Sequence, residues 1–238
     1  MVSIVEISCD YHKQYVTIPK QIYMDIYWYG QACFKIKGKN ATVLIDPFDP
    51  DMLGLKAPKG SDFEGDVVLM THGHPDHNFT KIVSGSPVEV AGPGEYEVKG
   101  VSINGVQVFH DKSEGSERGK NTIYSIQIDG LTIVHVGDLG HTLSEDQIQE
   151  VGDADILLVP VGGVFTIDGK DASEVVSQLE PKIIIPMHYK LPGLKIELAE
   201  VENFLKEMGV EGVVPQPKLT ITKDKLPEEP QVVVLNKS

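Results

Sequence analysis

The stretch Thr71-His72-Gly73-His74-Pro75-Asp76-His77 places three histidines and a carboxylate within six residues, directly after the apolar run Val67-Val68-Leu69-Met70. Neutral imidazole and carboxylate are ligands of choice for divalent metals. The glycine and proline between them suit a tight turn leaving a strand. His72 and His74, two apart, can converge on one ion, while Asp76 and His77 continue round the turn towards a neighbouring position. A polar loop that merely happens to be histidine-rich is the plainer alternative, but a short histidine tract is already a metal candidate by composition. A closed site still needs partners from elsewhere in the chain.

Working outward, three more apolar runs end on residues of the same type. Val106-Gln107-Val108-Phe109 runs into His110, Leu131 to Val136 into Gly137-Asp138, and Ile183 to Met187 into His188. Strand ends on a rigid sheet are where catalytic loops gather in α/β architectures. Taken singly, His110 or His188 reads as a satisfied histidine and Asp138 as a turn or cap residue. Jointly, His72, His74, Asp76, His77, His110, Asp138 and His188 are enough for two divalent ions sharing one carboxylate.

The remaining chain frames that constellation. Residues 1–23 carry no clear period and read as an N-terminal extension, with Met24 an alternative start, or as an extra strand; residues 24–238 read as a single domain. Met24 to Gly30, Cys33 to Lys37 and Thr42 to Ile45 form a meander ending at Asp46-Pro47. From Val88 to His110 short strands are separated by Gly92-Pro93-Gly94, Gly100 and Asn104-Gly105, the last a hairpin signal. Thr122 to Ile128 and Leu131 to Val136 pair across Asp129-Gly130, and Lys112 to Lys120 reads as an exposed loop. A short helix is expected near Phe79 to Ser84, one opened by the Ser144/Gln147 capping box, one capped by Asp171 with Glu174, and one over Glu197 to Met208.

At 238 residues, 41% hydrophobic and 24% charged, the composition is that of an ordinary soluble globular protein. No apolar run is long enough to span a bilayer, and the N-terminus lacks a secretory pattern. Cys9 and Cys33 form no C-x-x-C pattern, which argues against a disulfide framework and against thiolate zinc. The expected compartment is the cytoplasm. A net charge of −14 with no basic block repels phosphate backbones. The expected partner is therefore a small-molecule substrate, with no nucleic acid and no membrane; a homo-oligomer stays open.

The histidine run, followed by His110, Gly137-Asp138 and Met187-His188, resembles the motif series of the metallo-β-lactamase superfamily, and Asp46 after a strand matches its first motif. Gly30-Gln31-Ala32-Cys33-Phe34 and Gly137-Asp138-Leu139-Gly140-His141 are similar to the small branch related to ascorbate-6-phosphate lactonase. Gly92-Pro93-Gly94-Glu95-Tyr96-Glu97-Val98, Pro160-Val161-Gly162-Gly163 and Pro186-Met187-His188-Tyr189-Lys190 resemble short prokaryotic members known only as metal-dependent hydrolases. The resemblance runs from about Met24 to the C-terminus. It implies an α+β fold, a four-layer αββα sandwich with the metals at one edge of its two sheets. It also implies His72, His74 and His110 on one ion, Asp76, His77 and His188 on the other, and Asp138 bridging. Gln31 departs from the pattern, since many relatives carry histidine there.

Two ions about 3.5–4 Å apart share a water and bring its pKa towards neutrality. The expected function is a metal-dependent hydrolase that turns this bridging hydroxide on a lactone, ester, amide or phosphoester. Asp76 is expected to manage protons beside the water. His141 either protonates the leaving group or supports the site from behind. Asp46 is expected to orient a ligand imidazole through its free N–H. Arg118 and Asn121 either reach an anionic substrate or serve as a loop arginine and a turn asparagine, and Asn121 is counted with Asp46 among the residues behind the ligands. His135 reads as a packed core residue, and His12 belongs to no motif. Zinc suits the imidazoles, while manganese or iron accept the same donors. Two alternatives remain: a phosphodiesterase or nuclease, which calls for a basic groove, and a non-catalytic metal-binding protein of the same fold, which calls for a sealed site.

Overall fold

Unbroken apolar runs such as Val43-Leu44-Ile45 and Val67-Val68-Leu69 need burial on both faces of a sheet. The computed structural model supplies it. It describes residues 3–9, 12–18, 23–58 and 60–238; the side chains of residues 3–9, 12–18 and 61, and with them Cys9 and His12, lie outside the described set.

Strands β1 (Ser3–Cys9) and β2 (His12–Ile18) pair as a separate antiparallel hairpin. The main body starts with β3 (Met24–Gly30), β4 (Cys33–Lys37), β5 (Thr42–Ile45), helix α1 (Pro50–Leu53), β6 (Val67–Met70) and β7 (Val88–Ala91). It continues through β8 (Gly94–Val98), β9 (Val101–Phe109), β10 (Lys120–Ile128), β11 (Leu131–His135), α2 (Glu145–Val151), β12 (Ile156–Pro160), α3 (Gly169–Leu179) and β13 (Ile183–Met187). It ends with α4 (Val201–Glu207), β14 (Leu219–Ile221) and β15 (Gln231–Val232). One sheet has the order β14-β3-β4-β5-β6-β7 and the other β15-β13-β12-β11-β10-β9-β8.

The period-two alternation of each strand sorts residues to two cores. Val43, Ile45, Val67 and Leu69 join the core between the sheets with Trp28, Phe34, Tyr124, Ile126, Ile133 and Ile185. Leu44 and Val68 point the other way and pack with Cys33, Phe48, Leu53 of α1 and Phe63. Helices α2 and α3 pack on the seven-stranded sheet, and α4 packs against α3. The result is the αββα sandwich, with one outer layer reduced to the four-residue α1, two short 3-10 segments (Gly60–Phe63 and Thr80–Ile82, the latter where a helix near Phe79 to Ser84 is expected) and loops. Each fully buried Val, Leu or Ile contributes about 1.5–3 kcal/mol of transfer free energy.

Direction of travel puts the site at one edge. Strands β5, β6 and β7 are parallel, as are β11, β12 and β13. Strand β3 runs with β5, and β9 with β11, because each is separated from it by one antiparallel neighbour. The residues that follow these strands, from Gln31 and Asp46 to His72, His110, Asp138 and His188, therefore emerge at corresponding strand ends.

Three local expectations are corrected. Asn104-Gly105 is no hairpin turn but the middle of the nine-residue β9, paired on both sides. The glycine serves close packing instead: a Cβ there would stand 2.9 Å from Gly92 O and 3.1 Å from Tyr124 Cε1. The turn lies at Lys99-Gly100. Helix α3 is capped by Asp168, whose carboxylate accepts from the Lys170 and Asp171 N–H groups, so Asp171 falls inside its first turn. Helix α4 begins only at Val201, because Ala199 is held by Lys190 N–H and by Gly162 O to the loops after β13 and β12.

Candidate metal centre

The seven residues singled out at strand ends come together in two groups. His72, His74 and His110 each offer a ligand atom within 4.8 Å of the others, and so do Asp76, His77, Asp138 and His188. Asp138 Oδ2 is the common point: it lies 3.2 Å from His77 Nε2, 3.3 Å from His110 Nε2 and 3.4 Å from His188 Nε2. One carboxylate oxygen thus faces imidazoles of both groups. Asp76 Oδ2 lies 3.6 Å from His77 Nε2.

Asp46 orients one histidine in each group. It accepts from Thr71 N at 2.8 Å, Thr71 Oγ1 at 2.7 Å and His77 Nδ1 at 2.8 Å. The last bond fixes the His77 proton on Nδ1 and turns Nε2 to the site. Because the Thr71 hydroxyl proton goes to Asp46, its oxygen accepts from His72 Nδ1 at 3.1 Å, which leaves the His72 Nε2 lone pair facing His74. Asn121 is buried in β10 rather than in a turn; its Nδ2 donates to Val136 O and its Oδ1 accepts from Asp138 N, so it fixes the turn that carries Asp138.

His135 is core, as its pattern suggests, yet both ring nitrogens are engaged. Its Nε2 donates to Ala32 O at 2.8 Å, and its Nδ1 accepts from Gly137 N–H at 3.1 Å, tying the β3–β4 turn to the Asp138 turn. His141 likewise has neither nitrogen free. Its Nδ1 donates to Thr142 O and its Nε2 accepts from Phe109 N, which favours the supporting role over proton donation to a leaving group. Glycine permits the crowding of these loops: a Cβ on Gly140 would fall 2.2 Å from Asp111 N, and one on Gly162 would fall 2.1 Å from His188 O.

Burial and charge set the protonation states. His72 is pushed down to about 2, chiefly by desolvation, and His188 is lowered for the same reason. Both are held as the neutral imidazoles that metals require. Burial would also lower His77, but the Asp138 and Asp46 carboxylates outweigh it and raise the imidazole well above its usual value. Desolvation opposes ionisation of Asp138, and the facing histidines overcome it and hold the carboxyl well below its usual range. Among the described residues, six buried side-chain polar atoms lack a hydrogen-bond partner, and five belong here: Gln31 Oε1, His77 Nε2, His110 Nδ1, Asp138 Oδ1 and His188 Nδ1. Orphaned polar atoms of this kind are costly unless something polar fills the space between them, and this donor set fits divalent cations.

Backbone strain marks the same edge. Of the eight described non-glycine residues with positive φ, Lys99, Glu114 and Asp129 precede glycine in turns and Glu180 caps α3. The others are Gln31, Asp46 and His188 at the site, and Val164. Val164, a β-branched residue at φ 64°, tips a turn closed by Phe165 N–H to Gly163 O at 2.7 Å in the loop after β12, between the strands that deliver Asp138 and His188. Arg118 donates from Nη2 to Val164 O at 3.2 Å, and its guanidinium lies 5.7 Å from the centre of the Phe165 ring. The loop carrying Arg118 is organised around Asp111, whose carboxylate accepts from the backbone N–H groups of Ser113, Gly115, Glu117 and Arg118. Val164 carries no metal-ligand or turn signal in the sequence, and Gln31 is marked there only by its departure from the resembled pattern.

Comparison with known proteins supplies the family of this fold. The Beta-lactamase superfamily domain matches residues 25–188. A UPF0173 metal-dependent hydrolase of Thermoplasma volcanium is 33% identical over 215 residues, 80% of this chain and 95% of that protein. A crystal structure from Thermotoga maritima, of a proposed zinc-dependent hydrolase of the metallo-β-lactamase superfamily, superposes with a TM-score of 0.73 at 39% identity, covering 89% of this chain and 98% of that one. Igni18, a metallo hydrolase of Ignicoccus hospitalis, shares the fold at 21% identity and a TM-score of 0.62, covering 84% and 97% of the two chains.

Proposed function

Because the chain belongs to the metallo-β-lactamase superfamily, and within it to the UPF0173 family of metal-dependent hydrolases, we propose that it hydrolyses a small-molecule lactone, ester or phosphoester at a two-ion centre, with zinc the best fit to the imidazole-rich donors. His72, His74 and His110 would hold the outer ion and Asp76, His77 and His188 the inner one, with the Asp138 carboxylate facing both groups. Two such ions supply an acidified water and a Lewis-acid position for the substrate's oxygen. Asp76, which keeps 14% of its side chain exposed, is placed to accept and return a proton at the solvent side of the inner group. Asp46 sets the ring orientation of His77 and, through Thr71, of His72.

The observation that carries this reading is the Asp138 carboxylate facing three imidazole nitrogens with its second oxygen unpartnered. Exposure of His74 favours an enzyme over a sealed metal scaffold. The net charge of −14 favours a small substrate over nucleic acid. A single catalytic domain over residues 24–238, acting in the cytoplasm, belongs to the same proposal. Arg118 at the rim suits an anionic group on the substrate, in keeping with a lactone or ester of a phosphorylated or carboxylated metabolite.

Elemental analysis of protein purified without chelator, beside a screen of lactone, ester and phosphodiester substrates, tests it. Near two metals per chain with turnover in one substrate class is the expected outcome. Absence of stoichiometric metal after reconstitution overturns it.

A further inference from the structure

Gln31 is a residue that the ligand set leaves unexplained. It is fully buried, and its backbone sits at φ 49°, a conformation that glycine or asparagine adopts more readily. Three hydrogen bonds hold the turn there. Trp28 Nε1 and His188 N both donate to Gln31 O, and His135 Nε2 donates to the neighbouring Ala32 O. The structure thus fixes an unfavourable backbone in order to aim one side chain at the site. The Gln31 amide nitrogen lies 3.1 Å from His188 Nε2, the same atom that faces Asp138 Oδ2 at 3.4 Å. The amide oxygen is buried with no partner at all.

Neutral imidazole has one lone pair. His188 Nε2 can accept the Gln31 N–H or bind an ion, but not both. An ion at that nitrogen sets positive charge before the amide N–H and favours the opposite end of the same group. Amide oxygen and nitrogen are nearly equal in shape, so a half-turn about the last side-chain bond exchanges them without disturbing the packing. Resting on the two-ion reading above, we propose that Gln31 is a further donor at the inner position, its carbonyl oxygen turning to the ion or to a water held on it. A neutral oxygen suits this place, since Asp76 and Asp138 already bring two negative charges. The partner is a divalent cation that accepts mixed nitrogen and oxygen ligands.

Cobalt(II) titrations of the metal-free full chain, read by calorimetry and by the visible absorption of the bound ion, separate the alternatives. Wild type is expected to take two ions. Gln31→Leu, which removes both polar atoms, is expected to weaken one of the two by about tenfold or more, to change that ion's absorption, and to leave the other unchanged. Gln31→Glu, which keeps an oxygen in place, is expected to bind both at least as tightly as wild type. Wild-type affinity and spectrum in Gln31→Leu overturns the proposal, as does equal weakening in Gln31→Glu. Thermal unfolding of the metal-free variants separates loss of a ligand from loss of fold. Fewer than two ions on wild type instead removes the two-ion reading itself.

Discussion

The outer group, His72, His74 and His110, and the inner group, Asp76, His77, Asp138 and His188, share a wall but are built by different means. Two outer ligands come from a single turn, and His74 is exposed. The inner group draws on three separate strand ends, with His77, Asp138 and His188 each no more than 2% exposed. The inner side also collects the strained backbones of Gln31 and His188 and the unpartnered atoms around them. A buried polar cluster must be assembled and oriented by the fold, because an error there leaves charge without solvent. The outer group is mixed: His72 and exposed His74 come from one local turn, while His110 is buried at the end of β9. On the two-ion reading proposed above, the asymmetry makes the inner position the anchor and the outer one the face that meets substrate.

Removing the shared wall should do the most damage. Asp138→Ala takes away the oxygen that faces both groups and leaves His77 and His188 buried without their main counter-charge. Loss of at least one ion per chain is expected, by more than the about 100-fold typical of outer partners, together with loss of turnover. Elemental analysis and the substrate screen read both. Two tightly bound ions in this variant would mean that the groups are independent.

Single-group variants should then tell the two sides apart. His188→Ala is expected to empty the inner position and to cost about 3 kcal/mol, because it strips a partner from a fully buried carboxylate. His74→Ala should empty the outer position while leaving the metal-free midpoint of thermal unfolding near that of wild type, since that ring is exposed. Equal stability losses in the two would erase the distinction between anchor and face. Asp46→Ala is intermediate. Its carboxylate reaches His77 directly and His72 through Thr71, so a loss of about 10–100-fold is expected at both positions. Weakening at one position alone would break the Thr71 relay.

How much of this contrast the chain announces follows from how local each part is. His72 and His74 are legible because their spacing alone makes a metal pair. His110, Asp138 and His188 are legible because an apolar run stops on each, and the parallel register that aligns those stops is a property of the sheets. Asp46 stands at a strand end in the same way. Gln31 is marked only as a departure from the resembled pattern: a neutral amide after a strand has no ligand signature, and its value depends on His188, 157 residues away. The cap of α3 is ambiguous in the sequence because Asp168 and Asp171 both suit it, and only the carboxylate geometry decides. Asn104-Gly105 misled for a similar reason: the pair has turn chemistry, while the glycine is required by the backbone of residues 92–93 lying against it.

Protonation offers a subtler contrast. The carboxylates around His77 raise its pKa well above the usual imidazole value despite burial. Its contribution to metal-free stability is therefore fully present below about 6.5, the unfolded value, and is lost as pH rises through the folded one. An ion arriving at His77 must displace that proton, so inner-site affinity should rise by up to about tenfold per pH unit below the folded value. His72 and His74 are lowered, mainly by desolvation, and are already neutral; the outer affinity should be flatter. Calorimetry in buffers of different ionisation enthalpy counts the protons released. Equal release from both positions would contradict the assignment of the charged imidazole to the inner one.

The smallest expected effect concerns the rim. Val164 holds φ at 64°, a strained conformation for a β-branched side chain, and yet 64% of that side chain's residue surface is exposed, so no packing explains its presence. Val164→Gly should relieve the strain and raise stability by about 1 kcal/mol, seen as a small upward shift in the unfolding midpoint. If the loop only connects β12 to α3, turnover stays at the wild-type level. If the exposed valine and Phe165, steadied by Arg118, form the apolar side of the substrate's seat, KM rises while metal content is untouched. The second outcome is expected, because strain kept at a solvent-facing position beside a metal-ligand edge has no stabilising purpose; a more stable variant with unchanged KM would assign the loop to connection alone.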